Sequence, residues 1–211
     1  MKMYTFMASV KHAAANMPKY SQELCVLDTA VGDGDHGITI ARGYQSVADK
    51  ISLDETAAPE AFFREAGEVM AASMGGAIGP IYGIFYEEMA KSFAGRSDMD
   101  TPLLAAGMNR AADKIMALCQ VKPGDKTVVD AMIPAVKALL NAGDMAFQEA
   151  LFQSLCQAEA GRDATIGMMA RKGRARFLRE RSVGYIDAGA SSFALWLKEL
   201  YEAVKEGDKH P

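Results

Sequence analysis

Apolar residues recur every three or four positions through most of this chain, and this period constrains the fold more than any other feature. Such spacing is typical of amphipathic helices that turn one face to a core. It runs through residues 101–119, 129–140, 144–160 and about 189–205. Alternating, strand-like segments are scarce. The sequence therefore predicts an all-α protein with about eight helices and short connections.

Local signals predict where some of these helices begin and end. Thr101 followed by Pro102 is typical of an N-cap with proline in the first turn. The residues 141–143, Asn-Ala-Gly, should end the helix over 129–140.

The composition limits the classes of function. The chain has 211 residues, so we expect one domain over 1–211. The formal net charge of -4 argues against a nucleic-acid partner. No apolar run approaches the roughly 20 residues of a membrane helix and no signal peptide is expected, so we predict a cytoplasmic protein with no membrane partner. Sparse cysteines (Cys25, Cys119 and Cys156) fit a reducing compartment and argue against disulfides or a zinc site.

Four segments interrupt the helical period. They are 28–37 (DTAVGDGDHG), 73–83 (SMGGAIGPIYG), 122–130 (KPGDKTVVD) and 171–191 (RKGRARFLRERSVGYIDAGAS). In a helical bundle, functional groups gather in loops at one end of the scaffold. These segments are therefore the candidates for a functional site.

The first segment concentrates acidic side chains. Asp28, Asp33 and Asp35 would repel one another unless a cation lay between them, and hard cations such as Mg²⁺ prefer oxygen ligands. Residues 36–39 look like the start of a helix, whose exposed amides suit an anion. A polar turn with an aspartate N-cap is the open alternative. An EF-hand is not expected, because the twelfth position counted from Asp33 is Tyr44 instead of glutamate.

The glycine-rich segment 73–83 carries a weaker signal. Glycine allows backbone to approach a ligand closely. The segment matches neither a P-loop nor GxGxxG, and a tight helix–helix junction explains it about equally well.

The last two segments also allow structural explanations. In 122–130, Asp125 or Thr127 could cap the next helix, and a phosphate contact from Lys126 or Asp125 stays open. The arginines of 171–191 could neutralise phosphate or meet an acidic partner, although a solvated charged surface is the usual explanation. No cysteine has a visible base partner, so no protein nucleophile is predicted.

Taken in order, GDGDHG, GGAIGPIYG, PGDKTVVD and RKGRARFLRERSVGYIDAGASS resemble the nucleotide-binding subunit of bacterial dihydroxyacetone kinases, the DhaL type. The resemblance extends over nearly the whole chain. It implies an antiparallel barrel of eight helices with ADP or ATP and two Mg²⁺ ions at one end. It also implies transfer of a phosphoryl group to dihydroxyacetone or a related small ketose, which a separate DhaK-type subunit holds.

The same resemblance assigns roles to individual positions. The implied metal ligands are Asp28, Asp33 and Asp35. The implied phosphate contacts are His36, Gly37, Ile38, Thr39, Ala77 and Ile78. The implied remaining nucleotide contacts are Arg174, the closing loop Asp187, Ala188 and Gly189, and the nucleoside-lining Cys119 and Val128.

Three positions depart from the pattern of the family. Ile78 replaces a usual serine, Ala188 replaces a usual proline, and Arg179 stands where glycine is common. These departures indicate a divergent paralogue, acting on a related ketose or tetrose.

Several alternatives stay open at this point. ADP could be a held cofactor recharged by a phosphohistidine carrier of the phosphoenolpyruvate phosphotransferase system, or ATP could be a substrate. A rival hypothesis is a non-catalytic nucleotide and Mg²⁺ module that docks on a partner such as a transcription regulator. A helical domain that has lost its ligand is a weaker third reading. The sequence also leaves a homodimer open.

Overall fold

The computed structural model describes residues 1–207, and the last four residues of the predicted domain lie outside it. Within 1–207 the chain forms α-helices joined by short loops and 3-10 turns, with a single isolated β-bridge between Lys2 and Asp98. The helices are α1 (Met3–Asn16), α2 (Ser21–Thr29), α3 (His36–Lys50), α4 (Pro59–Ser73), α5 (Ile78–Phe93), α6 (Thr101–Cys119), α7 (Val129–Leu140), α8 (Phe147–Ala164) and α9 (Ala188–Gly207).

The first two helices form one interrupted helical run, which reconciles nine helices in the described residues with the prediction of about eight. A 3-10 turn over Met17–Tyr20 joins α1 to α2, and its first turn contains Pro18. Asn16 and Ser21, on either side of the turn, keep right-handed helical backbone angles. Because proline has no backbone N–H and crowds the preceding turn, it breaks the regular ladder without ending the helical path.

The helices close into a ring. Each helix from α3 to α8 packs against the next one along the chain, α9 packs against α1, and α1 packs against α3. Short connections favour such packing between neighbours in sequence. The all-α barrel expected from the sequence is confirmed.

The predicted helix boundaries were mostly right, with one error of capping. α6 and α7 occupy the predicted ranges 101–119 and 129–140, whereas α8 begins at Phe147. The N-cap of α6 is Asp100, not Thr101: the Asp100 side chain accepts a hydrogen bond from the Leu103 backbone at 2.8 Å. A carboxylate one residue earlier outcompetes the threonine because it reaches the third amide of the helix.

Aromatic side chains fill the interior of the ring. Trp196 on α9 is fully buried, with Phe85 of α5 edge-on at a centroid distance of 5.2 Å. α4 and α5 can approach closely because Gly67 has no Cβ; a Cβ there would lie 2.9 Å from the Gly83 carbonyl oxygen. The glycine-rich segment therefore does serve a helix–helix junction in its helical part. Among residues 1–207, no helix has the length and apolar character needed to cross a membrane.

Candidate active site

The first turns of four helices meet at one end of the ring. Ser192 of α9 lies 3.0 Å from the ring of His36, which begins α3, and 3.4 Å from the hydroxyl of Tyr82 on α5. A Cβ at Gly189 of α9 would lie 3.5 Å from the backbone nitrogen of Val128, at the start of α7. Helix N-termini carry partial positive charge and free amides, so this end of the ring suits an anion.

The acidic loop (residues 28–35) lies at this end, between α2 and α3. Asp28, Asp33 and Asp35 each offer a carboxylate oxygen, and these oxygens lie within 4.8 Å of one another. Asp28 is half-buried, whereas Asp33 and Asp35 are exposed. Three convergent oxygen donors open to solvent suit a hard divalent cation that also keeps water or phosphate ligands.

Two glycines shape the acidic loop. A Cβ at Gly32 would collide with Oδ1 of Asp28, and Gly34 has a φ of 75°, which side chains rarely adopt. The backbone of Gly32 donates to the Asp28 carbonyl at 2.6 Å and so folds the loop back on itself. The glycines are therefore required by the turn that brings the three carboxylates together.

Asp35 occupies the N-cap position of α3, but its side chain makes no capping hydrogen bond. It lies instead 3.4 Å from a guanidinium nitrogen of Arg174, which also contacts Asp33. The alternative of a simple aspartate cap is therefore wrong for this side chain. By position, the first-turn amides of Gly37 and Ile38 have no acceptor within the helix and remain available to a ligand.

His36 is held between the acidic loop and α9. Its backbone nitrogen is 3.4 Å from Oδ2 of Asp28, and its Nε2 is 3.0 Å from Ser192 Oγ. Burial lowers the pKa of His36, and the opposing influence of Asp28 and Asp35 does not overcome it.

The glycine-rich segment forms a shorter loop than predicted. Only residues 74–77 are irregular, because α5 begins at Ile78. Ala77 is the exposed N-cap residue of α5, and Gly76 has a φ of 65°. Ile78 is half-buried and packs against the apolar core.

The segment 122–130 is a turn held by hydrogen bonds from its own backbone to Asp130. Both oxygens of Asp130 accept backbone hydrogen bonds, from Gly124 at 2.5 Å and from Thr127 at 2.7 Å. Asp130 therefore supports the start of α7, and the predicted caps Asp125 and Thr127 do not make that contact. Asp125 accepts from the Lys122 backbone at 3.0 Å.

Lys126, the residue left undecided by the sequence, is 2% exposed. Its Nζ donates to the carbonyl of Ser182 at 2.5 Å and to that of Met168 at 3.1 Å. Burial lowers the pKa of Lys126, and nearby Asp187 partly opposes this. Lys126 thus neither starts the helix nor points at an open phosphate site; it anchors the segment that follows α8.

That basic segment (residues 168–184) has fixed ends and an exposed middle. The Ser182 hydroxyl accepts from the Ala170 backbone at 2.8 Å, which joins the two ends. In the middle, Phe177 is 71% exposed, and Arg179 adopts φ 52° and ψ -126°. Glycine adopts this region readily, so the departure noted at Arg179 costs backbone strain. An open pocket of about 600 Å³ lies between the middle of the basic segment and the acidic loop, and both line it.

The closing loop caps α9. Asp187 accepts a hydrogen bond from the Ala190 backbone at 2.7 Å, which is N-cap geometry. Burial raises the pKa of Asp187 to about 7, and Asp130 adds to the rise while Lys126 opposes it. Ala188 is buried and Gly189 is half-buried beside Val128.

The structure brings most of the predicted site residues to the same end of the ring, although they differ in burial and in the groups they contact. Thr39 and Val128 are buried, whereas Ile38 is 59% exposed. Cys119 is the half-buried last residue of α6. Burial raises the pKa of its thiol, and the nearby charge of Lys172 partly opposes this rise. Ser192 and Tyr82 lie within the quoted motifs, but the sequence assigned neither of them a role, because it does not show which side chains meet across the ring.

Comparison with known proteins now decides the family. The family model of the DAK2 domain matches residues 30–202, which is most of the chain. The chain belongs to the DAK2 domain family. The matched region includes the acidic loop from Ala30 onward and the start of α9, so the DAK2 domain covers the end of the ring where the helix N-termini meet.

Individual proteins with similar sequences are kinases or kinase subunits. This DAK2 domain is 33% identical over 188 residues to the PEP-dependent dihydroxyacetone kinase, ADP-binding subunit DhaL, of Escherichia coli (strain K12), covering 88% of this chain and 90% of that protein. It is 36% identical to the L-erythrulose kinase of Pectobacterium atrosepticum over 88% of this chain, but only 32% of that longer protein.

A solved structure has the same fold. The crystal structure of the dihydroxyacetone kinase from C. freundii in complex with AMP-PNP and Mg²⁺ superimposes with a TM-score of 0.71 at 24% sequence identity. The superposition covers 93% of this chain and 33% of that one. At this identity the likeness establishes the helical barrel.

Proposed function

We propose that this chain is the nucleotide-binding subunit of a dihydroxyacetone-type kinase, a phosphotransferase. The observation that carries the proposal is the convergence of three carboxylates within 4.8 Å of one another at the end of the ring where helix N-termini meet. Its similarity to an ADP-binding DhaL subunit over 90% of that protein supports the same function.

The residues present fit a magnesium–nucleotide complex. Asp28, Asp33 and Asp35 are the residues that would hold Mg²⁺, with two ions in the proposal. The donor set consists of oxygen atoms only, as Mg²⁺ prefers. When bound, Mg²⁺ offsets the negative charge of the nucleotide phosphates. The turn that Gly32 and Gly34 permit keeps the carboxylates together before any ion binds.

The chain's own groups would bind and orient the phosphates. We assign phosphate contacts to the first turns of α3 and α5, residues 36–39 and 77–78, because the first amides of a helix have no acceptor within it, although Thr39 already donates to the Asp35 carbonyl. Arg174 already faces the acidic loop, and its guanidinium suits phosphate. Cys119, Val128 and the loop 187–189 are the proposed contacts for the rest of the nucleotide.

The apolar replacement at position 78 does not argue for the non-catalytic rival. The Ile78 side chain packs against the core, so it does not fill the space above the helix N-terminus. The phosphate contact assigned there rests on backbone amides, which any side chain leaves in place. We therefore retain the kinase function and not the regulator-docking module.

We further propose that a separate sugar-binding subunit holds the acceptor. The acceptor class is dihydroxyacetone or a four-carbon ketose, because this chain is similar both to dihydroxyacetone kinase subunits and to erythrulose kinases. The phosphoryl donor is either a phosphohistidine carrier that recharges bound ADP or ATP itself.

Nucleotide binding can be tested with the chain alone. After denaturation of the purified protein, chromatography should detect released ADP if the nucleotide is a held cofactor. Calorimetric titration with ADP and ATP should show binding that requires MgCl₂. Asp33→Asn should weaken it by about 100-fold, since even outer-shell changes cost 10–100-fold in metal sites. Unchanged circular dichroism would show that the helices persist, and absence of binding at millimolar ATP and Mg²⁺ would refute the proposal.

Transfer requires a partner. The chain should be mixed with a sugar-binding dihydroxyacetone kinase subunit and offered dihydroxyacetone, L-erythrulose or D-erythrulose in parallel. ATP in one set of reactions, and phosphoenolpyruvate with its carrier proteins in another, distinguish the two donors. Product in neither set, from a chain that binds Mg²⁺ and nucleotide, would favour a non-catalytic role.

A further inference from the structure

Two parts of the proposed site, distant in sequence, meet at one hydrogen bond between side chains. His36 begins α3 directly after the acidic loop, and Ser192 lies on α9 just after the closing loop. The Nε2 atom of His36 is 3.0 Å from Oγ of Ser192, although the residues are 156 positions apart. Ser192 is 0% exposed, so its hydroxyl depends on protein partners.

The other contacts of Ser192 fix the direction of this hydrogen bond. The Ser192 hydroxyl donates to the Gly189 carbonyl at 3.0 Å. A serine hydroxyl has a single hydrogen, so with that hydrogen on the Gly189 carbonyl the oxygen accepts from Nε2 of His36.

Rigid groups surround the serine. The hydroxyl of Tyr82 is 3.4 Å from Ser192 Oγ, and Tyr82 is 1% exposed. The ring of Tyr82 packs edge-on against Tyr44 at a centroid distance of 5.6 Å. Ser192 is therefore held by α5 on one side and by its own helix on the other, and it has little freedom to follow a moving histidine.

We propose that Ser192 is a positioning residue, which fixes the tautomer and orientation of His36 and so keeps the first turn of α3 aligned with the closing loop. The effect on nucleotide binding rests on the proposed function, whereas the effect on the His36 ring does not. Ser192 can position His36 without touching the nucleotide.

Nuclear magnetic resonance can test the positioning directly. The chain has three histidines, so the double substitution His12→Gln and His210→Gln leaves His36 alone in the spectrum. In this background, ring ¹⁵N shifts at constant pH should report a single Nε2–H tautomer. Ser192→Ala should give mixed tautomers or a broadened signal, and Ser192→Thr, which keeps the hydroxyl, should restore the single form.

Binding measurements give a second readout. Ser192→Ala should weaken magnesium–ADP binding by about fivefold, the equivalent of one ordinary hydrogen bond, and Ser192→Thr should recover it. Binding of Mn²⁺ without nucleotide should not change, because the three aspartates are untouched. Ser154→Ala is a matched control, because Ser154 is also 0% exposed and donates to a backbone carbonyl, that of Ala135, at 3.0 Å.

The outcomes separate the two proposals. An unchanged His36 spectrum in Ser192→Ala would overturn the positioning role, even if nucleotide binds. An altered spectrum in a chain that binds no nucleotide would uphold the positioning and refute the proposed function. Equal loss of ADP affinity in Ser192→Ala and Ser154→Ala would mean general destabilisation, and would overturn the inference.

Discussion

The acidic loop and the inner carboxylates (Asp130 and Asp187) contain the same side chain in opposite settings. Asp130 is 4% exposed and gives both oxygens to backbone amides, and Asp187 accepts from Ala190. In the acidic loop, by contrast, Asp33 and Asp35 are exposed, lie close to Asp28 and pair with the guanidinium of Arg174. Inner carboxylates whose hydrogen bonds are satisfied hold the fold, whereas exposed convergent ones remain free for a ligand.

The basic segment connects these two regions. Lys126, beside the inner carboxylates, anchors the ends of the segment through Met168 and Ser182, and Arg174 extends from its middle to the acidic loop. The positively charged residues therefore have the same two roles as the aspartates. The buried Lys126 stabilises the fold, and the exposed Arg174 can bind a ligand.

The largest expected effect comes from removing the buried cation. Lys126→Met leaves the carbonyls of Met168 and Ser182 without this donor and removes a positive charge near Asp187. We expect the free energy of unfolding in urea to fall by about 3 kcal/mol. Lys172→Met, at a half-buried lysine of the basic segment, should change this free energy by less than about 0.5 kcal/mol. Equal losses in the two variants would contradict the anchoring role of Lys126.

The second prediction concerns pH. Because the pKa of Asp187 is raised to about 7 from its ordinary 3.8, the folded chain keeps a proton that the unfolded chain has lost between those values. This group therefore lowers stability as pH rises from about 4 to about 7.

Asp187→Asn stays uncharged and can still cap α9. It should raise the free energy of unfolding at pH 8 by on the order of 2 kcal/mol, with no gain near pH 4. The matched control is Asp100→Asn, at the exposed N-cap of α6. A gain that does not depend on pH would refute the raised pKa.

A smaller effect should follow from relieving backbone strain. Arg179 has a φ of 52°, which glycine tolerates. Arg179→Gly should stabilise the chain by about 1 kcal/mol in thermal or urea unfolding. Arg181→Gly, in the same 3-10 segment without a positive φ, should destabilise it. Destabilisation by both would show that the arginine side chain contributes more than its strain costs.

The smallest effect tests the exposed ion pair. Arg174 contacts the carboxylates that would bind a cation, so the two compete. Arg174→Gln should raise the affinity for Mn²⁺ without nucleotide by about two- to fivefold, as expected for an exposed pair. The same variant should bind ADP more weakly in the presence of Mg²⁺. The control is Arg176→Gln, because the Arg176 guanidinium stacks on Phe177 at 4.2 Å. This variant should change neither the Mn²⁺ affinity nor the ADP affinity.

The sequence by itself determined the helical class, most helix boundaries and the acidic loop as a cation site candidate. Helical periodicity is a local property, and glycines that permit a tight turn between aspartates lie within a few residues of one another. The resemblance to a kinase subunit likewise depended on ordered local motifs, and the DAK2 match confirmed the family.

Only the tertiary structure decided which polar residues are free. Lys126 belonged to a candidate functional loop in the sequence, but its partners are the backbone carbonyls of Met168 and Ser182, 42 and 56 residues away. Ser192 and Tyr82 lie within the quoted motifs but received no role, because the contacts of Ser192 with His36 and with Tyr82 exist only once α3, α5 and α9 meet. Ring closure brings together groups that chain order separates, and burial then determines whether a charge holds the fold or awaits a ligand.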